Sequence, residues 1–162
     1  MSYEYGELIT LSDELEGLLD LALRSARDYF AQAGEIRPLW IIQRADGSIA
    51  EMRLADQPTG GRVLDMPQGR KDEVAAMMAK QFKAHDVVRY AFICEAWQGS
   101  PNSSIPASLD PNRIEVVQVV AENRERCIGA AMEIIRPAGQ KPYLSKPGQH
   151  CPTGGRLTGL LR

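Results

Sequence analysis

The stretch VVRYAFICEAW, residues 87–97, decides the fold expected for this chain. Its β-branched and aromatic residues predict a strand, and side chains in a strand alternate between the two faces of a sheet. One face is apolar and consists of Val88, Tyr90, Phe92, Cys94 and Ala96. The other face is mixed and consists of Arg89, Ala91, Ile93, Glu95 and Trp97. Because neither face is cleanly polar, we expect the sheet to be covered on both sides and Glu95 to lie outside the main core.

A long helix and a hairpin are predicted before this strand. Residues 10–34 carry apolar side chains at helical spacing, which predicts one amphipathic helix that ends at Gly34. Two strand-like runs follow around Asp46-Gly47. An Asp-Gly pair between such runs is typical of a β-hairpin with a two-residue turn, because that turn requires a positive φ.

A second, shorter helix is predicted over residues 71–86. Its apolar stripe should include Val74, Met77, Met78 and Phe82, and we expect the two methionines to fill the core. His85 lies near the same stripe, and we interpret it as a structural residue.

Two further strands, residues 112–122 and 125–136, flank the turn ENRE, across which we expect Ala121 to pair with Arg126. A long exposed loop, residues 98–111, precedes them. The predicted order is helix, strand, strand, helix, strand, strand, strand. This order predicts a single α+β domain around one mostly antiparallel sheet. It resembles the order in Roadblock-type dimerisation domains, which end in a helix, and in profilin-like folds.

The last part of the chain differs in composition from the rest. We divide the chain into an α+β domain, residues 1–136, and a basic Pro/Gly-rich tail, residues 137–162, which has too much Pro and Gly for regular structure. The first 35 residues carry eight acids and two arginines, whereas residues 136–162 carry five cations and no acid. We therefore expect the tail to pack on the surface and to dock on the first helix, with an apolar anchor formed by Leu157, Leu160 and Leu161.

Composition excludes several classes of protein. With 162 residues and 44% hydrophobic content, the chain suits one globular domain, and it has no apolar run long enough to span a membrane. Three widely spaced cysteines and an acidic start predict a cytoplasmic protein. The acidic pI of about 5.7 argues against nucleic acid as a partner.

Glu95 and Trp97 form the first candidate site. The structural interpretation is that Glu95 pairs with an arginine, either Arg113 or Arg89, while Trp97 packs over the pair. The functional interpretation is that Glu95 is a general acid or base and Trp97 is a wall of a ligand pocket. No nucleophile, catalytic histidine or cofactor motif accompanies them in the sequence.

The sequence PTGGR occurs twice, at residues 58–62 and 152–156. Consecutive glycines allow backbone N–H groups to converge on an anion, so Arg62 and Arg156 are candidate ligand-binding residues beside Glu95 and Trp97. The alternative is a turn that merely requires glycine. His150-Cys151 is the one place where two soft ligands adjoin, and neither their number nor their spacing predicts a metal site.

Two hypotheses about function follow. The first is a small cytosolic interaction or scaffold domain that acts as a homodimer, with a further protein partner as an extension of the same idea. The second is a small-molecule or anion-binding protein with a cleft near Glu95 and Trp97, and the sequence leaves open whether it is an enzyme. Neither hypothesis involves a cofactor, a metal, a membrane or nucleic acid.

Overall fold

A computed structural model of the chain describes residues 14–53, 68–150 and 159–161. These ranges contain two α-helices, α1 at Glu14–Ala33 and α2 at Gln68–Ala84. They also contain seven strands: β1 Leu39–Arg44, β2 Ile49–Arg53, β3 Val87–Gln98, β4 Ile114–Glu122, β5 Cys127–Ile135, β6 Tyr143–Leu144 and β7 Gly148–His150. None of the described helices is long and apolar enough to cross a membrane.

The strands form one antiparallel sheet in the order β2-β1-β3-β4-β5-β6, and β7 pairs with another part of β5. The predicted α+β class and the order helix, strand, strand, helix, strand, strand, strand are therefore confirmed. The tail adds the two short strands β6 and β7, although its composition predicted no regular structure. Between them, Ser145 donates its backbone N–H to the carbonyl of Glu133, and its Oγ accepts the N–H of Glu133. The outer edge of β5 thus supplies the hydrogen bonds that order this segment.

Helix α1 follows the predicted amphipathic pattern. Its buried face consists of Leu15, Leu18, Leu21, Ala22, Ser25, Ala26 and Phe30. The helix ends at Gly34, which has a φ of +72° and donates its N–H to the carbonyl of Phe30 at 2.7 Å. The predicted N-terminal end of this helix, residues 10–13, lies outside the described residues.

Helix α2 buries a narrower stripe than the sequence predicted. Val74, Met78 and Phe82 are buried at a spacing of four residues. Met77 is 45% exposed, so only one methionine of the pair fills the core. His85 follows the helix and is exposed. The buried stripe of every fourth residue thus excludes Met77, which lies on the flank of the helix.

The sheet carries a separate core on each face. On the face covered by α1, here called the α1 face, the sheet residues are Leu39, Ile41, Ala91, Ile93, Val117, Val119, Ala121, Met132 and Ile134. On the face covered by α2, here called the α2 face, they are Trp40, Ile42, Val87, Tyr90, Phe92 and Cys94. The α1 face holds the larger core and it is the face that carries Glu95. The expectation that Glu95 lies outside the main core was therefore wrong.

Both predicted hairpins are present, with turns that differ from those expected. Residues 45–48 separate β1 from β2; Gly47 has a φ of +87°, and Asp46 has no positive φ. The turn is thus longer than two residues, and one glycine is sufficient for it. In the second hairpin Glu122 pairs with Cys127, two residues away from the expected register. Because the register shifts by an even number of residues, each side chain of β5 stays on the face of the sheet that the expected pairing gives it.

The tail contacts both faces of the sheet. Arg27 of α1 donates to the carbonyl of Ser145 at 3.0 Å, and Leu144 packs against the core of the α1 face. Leu160, in contrast, is buried in the core of the α2 face. Leu160 of the predicted leucine anchor therefore lies on the opposite side of the sheet from helix α1. Leu157 lies outside the described residues.

Candidate functional site

Glu95 is fully buried, with 0% of its surface exposed. It lies in β3 opposite Val117 of β4, and its Oε1 accepts the backbone N–H of Ile36 at 2.9 Å. Ile36 follows the glycine that ends α1, where the chain turns towards β1. The carboxylate therefore attaches the connection between α1 and β1 to the sheet. It also satisfies the hydrogen-bonding need of a buried backbone N–H.

Both arginines expected to pair with Glu95 have other partners. The guanidinium carbon of Arg113 lies 4.5 Å from the centre of the Trp97 ring, and Arg113 also donates to the carbonyl of Ser108 at 3.0 Å. Arg89 forms an ion pair with Glu14 and donates to Gln43. Trp97 is half-buried and stacks under Arg113.

A second buried carboxylate, Glu122, lies on the α2 face. It is as enclosed as Glu95, and it accepts the phenolic O–H of Tyr90 and, at 2.8 Å, the backbone N–H of Gly159. Tyr90 in turn accepts the N–H of Leu160 at 3.4 Å. Sequence reasoning missed this group because it placed Glu122 where the strand 112–122 meets the turn ENRE and assigned it to neither face. The signal was present, since strand alternation places Glu122 on the same face as Val120.

Burial shifts the ionisation of two groups on the α2 face. Removal from water raises the pKa of Tyr90 well above its usual value of 10.0, and the hydrogen bond to Glu122 raises it further. Burial likewise raises the pKa of the Cys94 thiol to about 12, with smaller effects from Lys71 and Glu95. Both groups remain protonated at neutral pH, so neither is a nucleophile under those conditions.

The loop between β3 and β4 is ordered around Asp110. The carboxylate of Asp110 is buried and accepts the backbone N–H groups of Ser100 at 2.7 Å and Asn112 at 2.8 Å. These hydrogen bonds hold the pKa of Asp110 below its usual value. The same loop leaves Leu109 69% exposed and Ile105 also exposed. A polar anchor thus fixes a loop whose apolar side chains face water.

Two more exposed apolar residues lie at the same end of the sheet. Ile114 begins β4 opposite Gln98, the last residue of β3. Tyr143, which is 54% exposed, pairs with Ile135 at the end of β5. We call Ile105, Leu109, Ile114 and Tyr143 together the loop-end surface.

Two cavities lined by described residues bear on the candidate sites. The larger, about 710 Å³, lies at the C-terminal end of α2, with Phe82, Val87 and Leu160 in its lining together with Lys80, Lys83 and Arg124. The smaller, about 430 Å³, lies beside the end of α1, with Tyr29, Ile36, Arg37 and Arg53 in its lining. Glu95 and Trp97 line neither of these cavities.

The remaining candidates cannot be placed in this geometry. Arg62, Arg156 and both PTGGR segments lie outside the described residues, as do Cys151 and the side chain of His150. Of the four candidate ligand-binding residues, the structure thus places Glu95 and Trp97. Within residues 14–53, 68–150 and 159–161, no group of three or more His, Cys, Asp and Glu side chains is arranged to hold a metal ion.

Comparison with known proteins adds no class to this description. No family model matches the chain, and neither a curated protein nor a solved structure matches it significantly.

Proposed function

We propose that this protein is a small interaction or scaffold domain that acts as a homodimer, with the loop-end surface as its interface. The observation that carries the proposal is the position of the exposed apolar side chains. Among the described residues, five large apolar side chains are exposed, and four of them lie on the loop-end surface. Exposed apolar residues that share one end of a sheet are candidates for an association surface, whereas scattered ones are ordinary.

The loop that supplies this surface is suited to binding. It is ordered by Asp110, so little conformational entropy remains to be lost on association. Trp97 and Arg113 stack at its base, and aromatic residues and arginine are enriched in protein interfaces.

A second copy of the chain is the occupant that the charges favour. Residues 98–111 contain a single ionisable side chain, Asp110, and it is buried within the loop. The loop itself therefore brings no exposed charge to a two-fold interface, and Arg113 at its base is stacked on Trp97. Cyclic dimers are also the commonest form of soluble oligomer.

Solution mass tests the proposal directly. At micromolar concentration, sedimentation equilibrium should report about twice 17.9 kDa. The double variant Leu109→Lys, Ile114→Lys should give the monomer mass, because it places four lysines in a two-fold interface. Met77→Lys is the matched control, since Met77 is exposed but lies on α2, and it should remain dimeric. A monomeric wild-type protein, or a control that dissociates equally, contradicts the proposal.

The alternative is a small-molecule or anion-binding protein, either a binding protein or an enzyme, in which Glu95 is the functional acid. One observation favours it: Ile36, whose N–H binds Glu95, also lines the cavity of about 430 Å³. A ligand in that cavity would be separated from Glu95 by one residue. The stability of a Glu95→Gln variant, described below, distinguishes a structural from a functional carboxylate.

A further inference from the structure

We propose that the cavity at the C-terminal end of α2 binds a soluble amphipathic anion, with an acidic head group and a hydrocarbon body. This inference does not depend on the homodimer. The cavity lies where β3 and the β4–β5 turn begin, whereas the loop-end surface lies where β3 ends. The two sites therefore occupy opposite ends of the sheet.

The floor of the cavity is apolar. Phe82 of α2, Val87 of β3 and Leu160 of the tail are buried and line it from three separate segments of the chain. Its volume of about 710 Å³ lies within the range of small-molecule sites. Such a floor favours a hydrocarbon or aromatic body over a fully hydrated ion.

The rim of the cavity is cationic. Lys80, Lys83 and Arg124 line it and are exposed, and none of the three forms an ion pair with another described residue. Asp86 is the single acidic residue in the lining. The carbonyl end of α2 adds a partial negative charge, which Lys83 in its last turn offsets. The remaining positive charge stands beside an apolar floor, where the field that attracts an anion is strengthened.

Some exposed cations elsewhere are paired, since Arg53, Arg70 and Arg136 each form an ion pair with a glutamate. Others, such as Arg24, Lys141 and Lys146, have no ion pair with a described residue, so it is the convergence of three cations that marks the cavity. At the cavity, two lysines from one helix and an arginine from a distant turn converge without such partners. An anionic head group would supply the missing charge.

The walls of the cavity are held by backbone geometry. Asp86 has a φ of +53°, and its carbonyl accepts the N–H of Ala45 at 2.9 Å. Both residues line the cavity. This hydrogen bond joins the turn after α2 to the turn after β1, so the opening is formed before a ligand arrives.

Decanoate is a suitable probe because it combines both chemical features. Titration calorimetry below its critical micelle concentration should show saturable binding to the full chain. Acetate lacks the hydrocarbon body and decanol lacks the charge, so both should bind at least about tenfold more weakly. Vesicles of phosphatidylglycerol test the other source of this chemistry, a lipid surface. A concave site of this size should not retain the protein on vesicles.

The triple variant Lys80→Ala, Lys83→Ala, Arg124→Ala tests the rim. Each exposed charge contact contributes a factor of about 1.5 to 5 in affinity, so loss of all three should weaken decanoate binding by a factor of about 3 to 100. The matched control Arg24→Ala, Lys141→Ala, Lys146→Ala removes the same net charge from exposed positions away from the cavity and should bind as the wild type does.

Four results would overturn the proposal: no saturable binding of decanoate, equal binding of decanol, an equal loss in both triple variants, or retention on vesicles with no binding of free decanoate. Because all six substituted side chains are exposed, unfolding of a variant is not expected. Its thermal melt shows whether a loss of binding has that cause, and the two lysine changes can then be measured without Arg124→Ala.

Discussion

Glu95 and Glu122 are buried carboxylates on opposite faces of the same sheet, and each accepts a backbone N–H from a segment without regular structure. Glu95 binds Ile36, in the connection between α1 and β1. Glu122 binds Gly159, in the tail. In both cases the strand residue and the bound segment are far apart in sequence. A carboxylate at a strand position can thus attach an irregular segment to a sheet where a ladder hydrogen bond cannot reach.

Glu95 and Glu122 have different surroundings. Glu95 lies under the C-terminal end of α1, beside the larger core. Glu122 accepts the hydroxyl of Tyr90 and the N–H of Gly159, and Tyr90 accepts the N–H of Leu160, so that a tyrosine, a carboxylate and two tail N–H groups form one network. The α1 face therefore depends mainly on apolar packing by a long helix, whereas the α2 face combines a shorter helix with polar attachment of the tail.

The largest expected effect tests whether both faces are true cores. Leu18→Ala on the α1 face and Phe82→Ala on the α2 face each remove a fully buried side chain. We expect each to lower the free energy of unfolding by about 3 to 5 kcal/mol, because buried contacts are lost and a cavity remains. Urea denaturation measures the change.

Met77→Ala is the control for these two variants, since Met77 is 45% exposed and lies outside the loop-end surface, and we expect a change within about 0.5 kcal/mol. A cost below about 1 kcal/mol for Phe82→Ala alone would mean that α2 is loosely attached and that only the α1 face is a core.

Alkaline pH should weaken the α2 face selectively. Burial raises the pKa of Cys94 from 9.0 to about 12, so the unfolded chain loses this proton first as the pH rises. The contribution to stability is therefore fully present below pH 9 and is lost between pH 9 and about 12, by about 1.4 kcal/mol for each pH unit. Tyr90, whose pKa is also raised, adds to the loss above pH 10.

Denaturation of the wild type and Cys94→Ala at several pH values between 8 and 11 measures this slope. The variant should be less sensitive to alkali than the wild type, while Cys127→Ala controls for the loss of a thiol elsewhere. Identical slopes for the wild type and Cys94→Ala would show that the buried thiol does not cause the alkaline loss.

The smallest effect compares the carboxylates themselves. Glu95→Gln keeps an acceptor for the N–H of Ile36 but removes the charge, and we expect a loss of about 1 kcal/mol. Glu122→Gln weakens two hydrogen bonds and should cost about 2 kcal/mol. Chemical denaturation beside the exposed control Glu125→Gln measures both. If Glu95→Gln is as stable as the wild type or more stable, Glu95 is a functional acid and the structural interpretation fails.

The order of elements could be predicted because it depends on local patterns. The period of α1, the glycine that ends it and the Asp46-Gly47 turn are all carried by neighbouring residues. Alternation along residues 87–97 correctly separated Tyr90 and Cys94 from Ala91 and Glu95. Parity decides the face within a regular strand, so the separation was correct even where the register of β4 and β5 was not. Val87 is an exception: it lies in the core with Tyr90, because the pairing of β1 with β3 shifts register between Gln43 and Arg44.

The partners of polar residues could not be predicted in the same way. Glu95 was expected to bind an arginine on a neighbouring strand, but the hydrogen bond observed comes from a backbone N–H, which every residue except proline possesses. The sequence therefore indicated that Glu95 has a specific role, but it did not indicate which group donates a hydrogen bond to it. The cationic cavity was missed for a related reason, since Lys80 and Arg124 approach each other only through the pairing of distant strands.

The attachment of Leu160 to Tyr90 and Phe82 has a consequence for how the molecule is made. A ribosome synthesises β3 long before residue 160, so a nascent chain can assemble the α1 side of the sheet while the other side still lacks its last leucine. We expect the apolar surface of α2 and Tyr90 to remain open to chaperones during this interval. The core of the α2 face is therefore complete only after residue 160 has been synthesised.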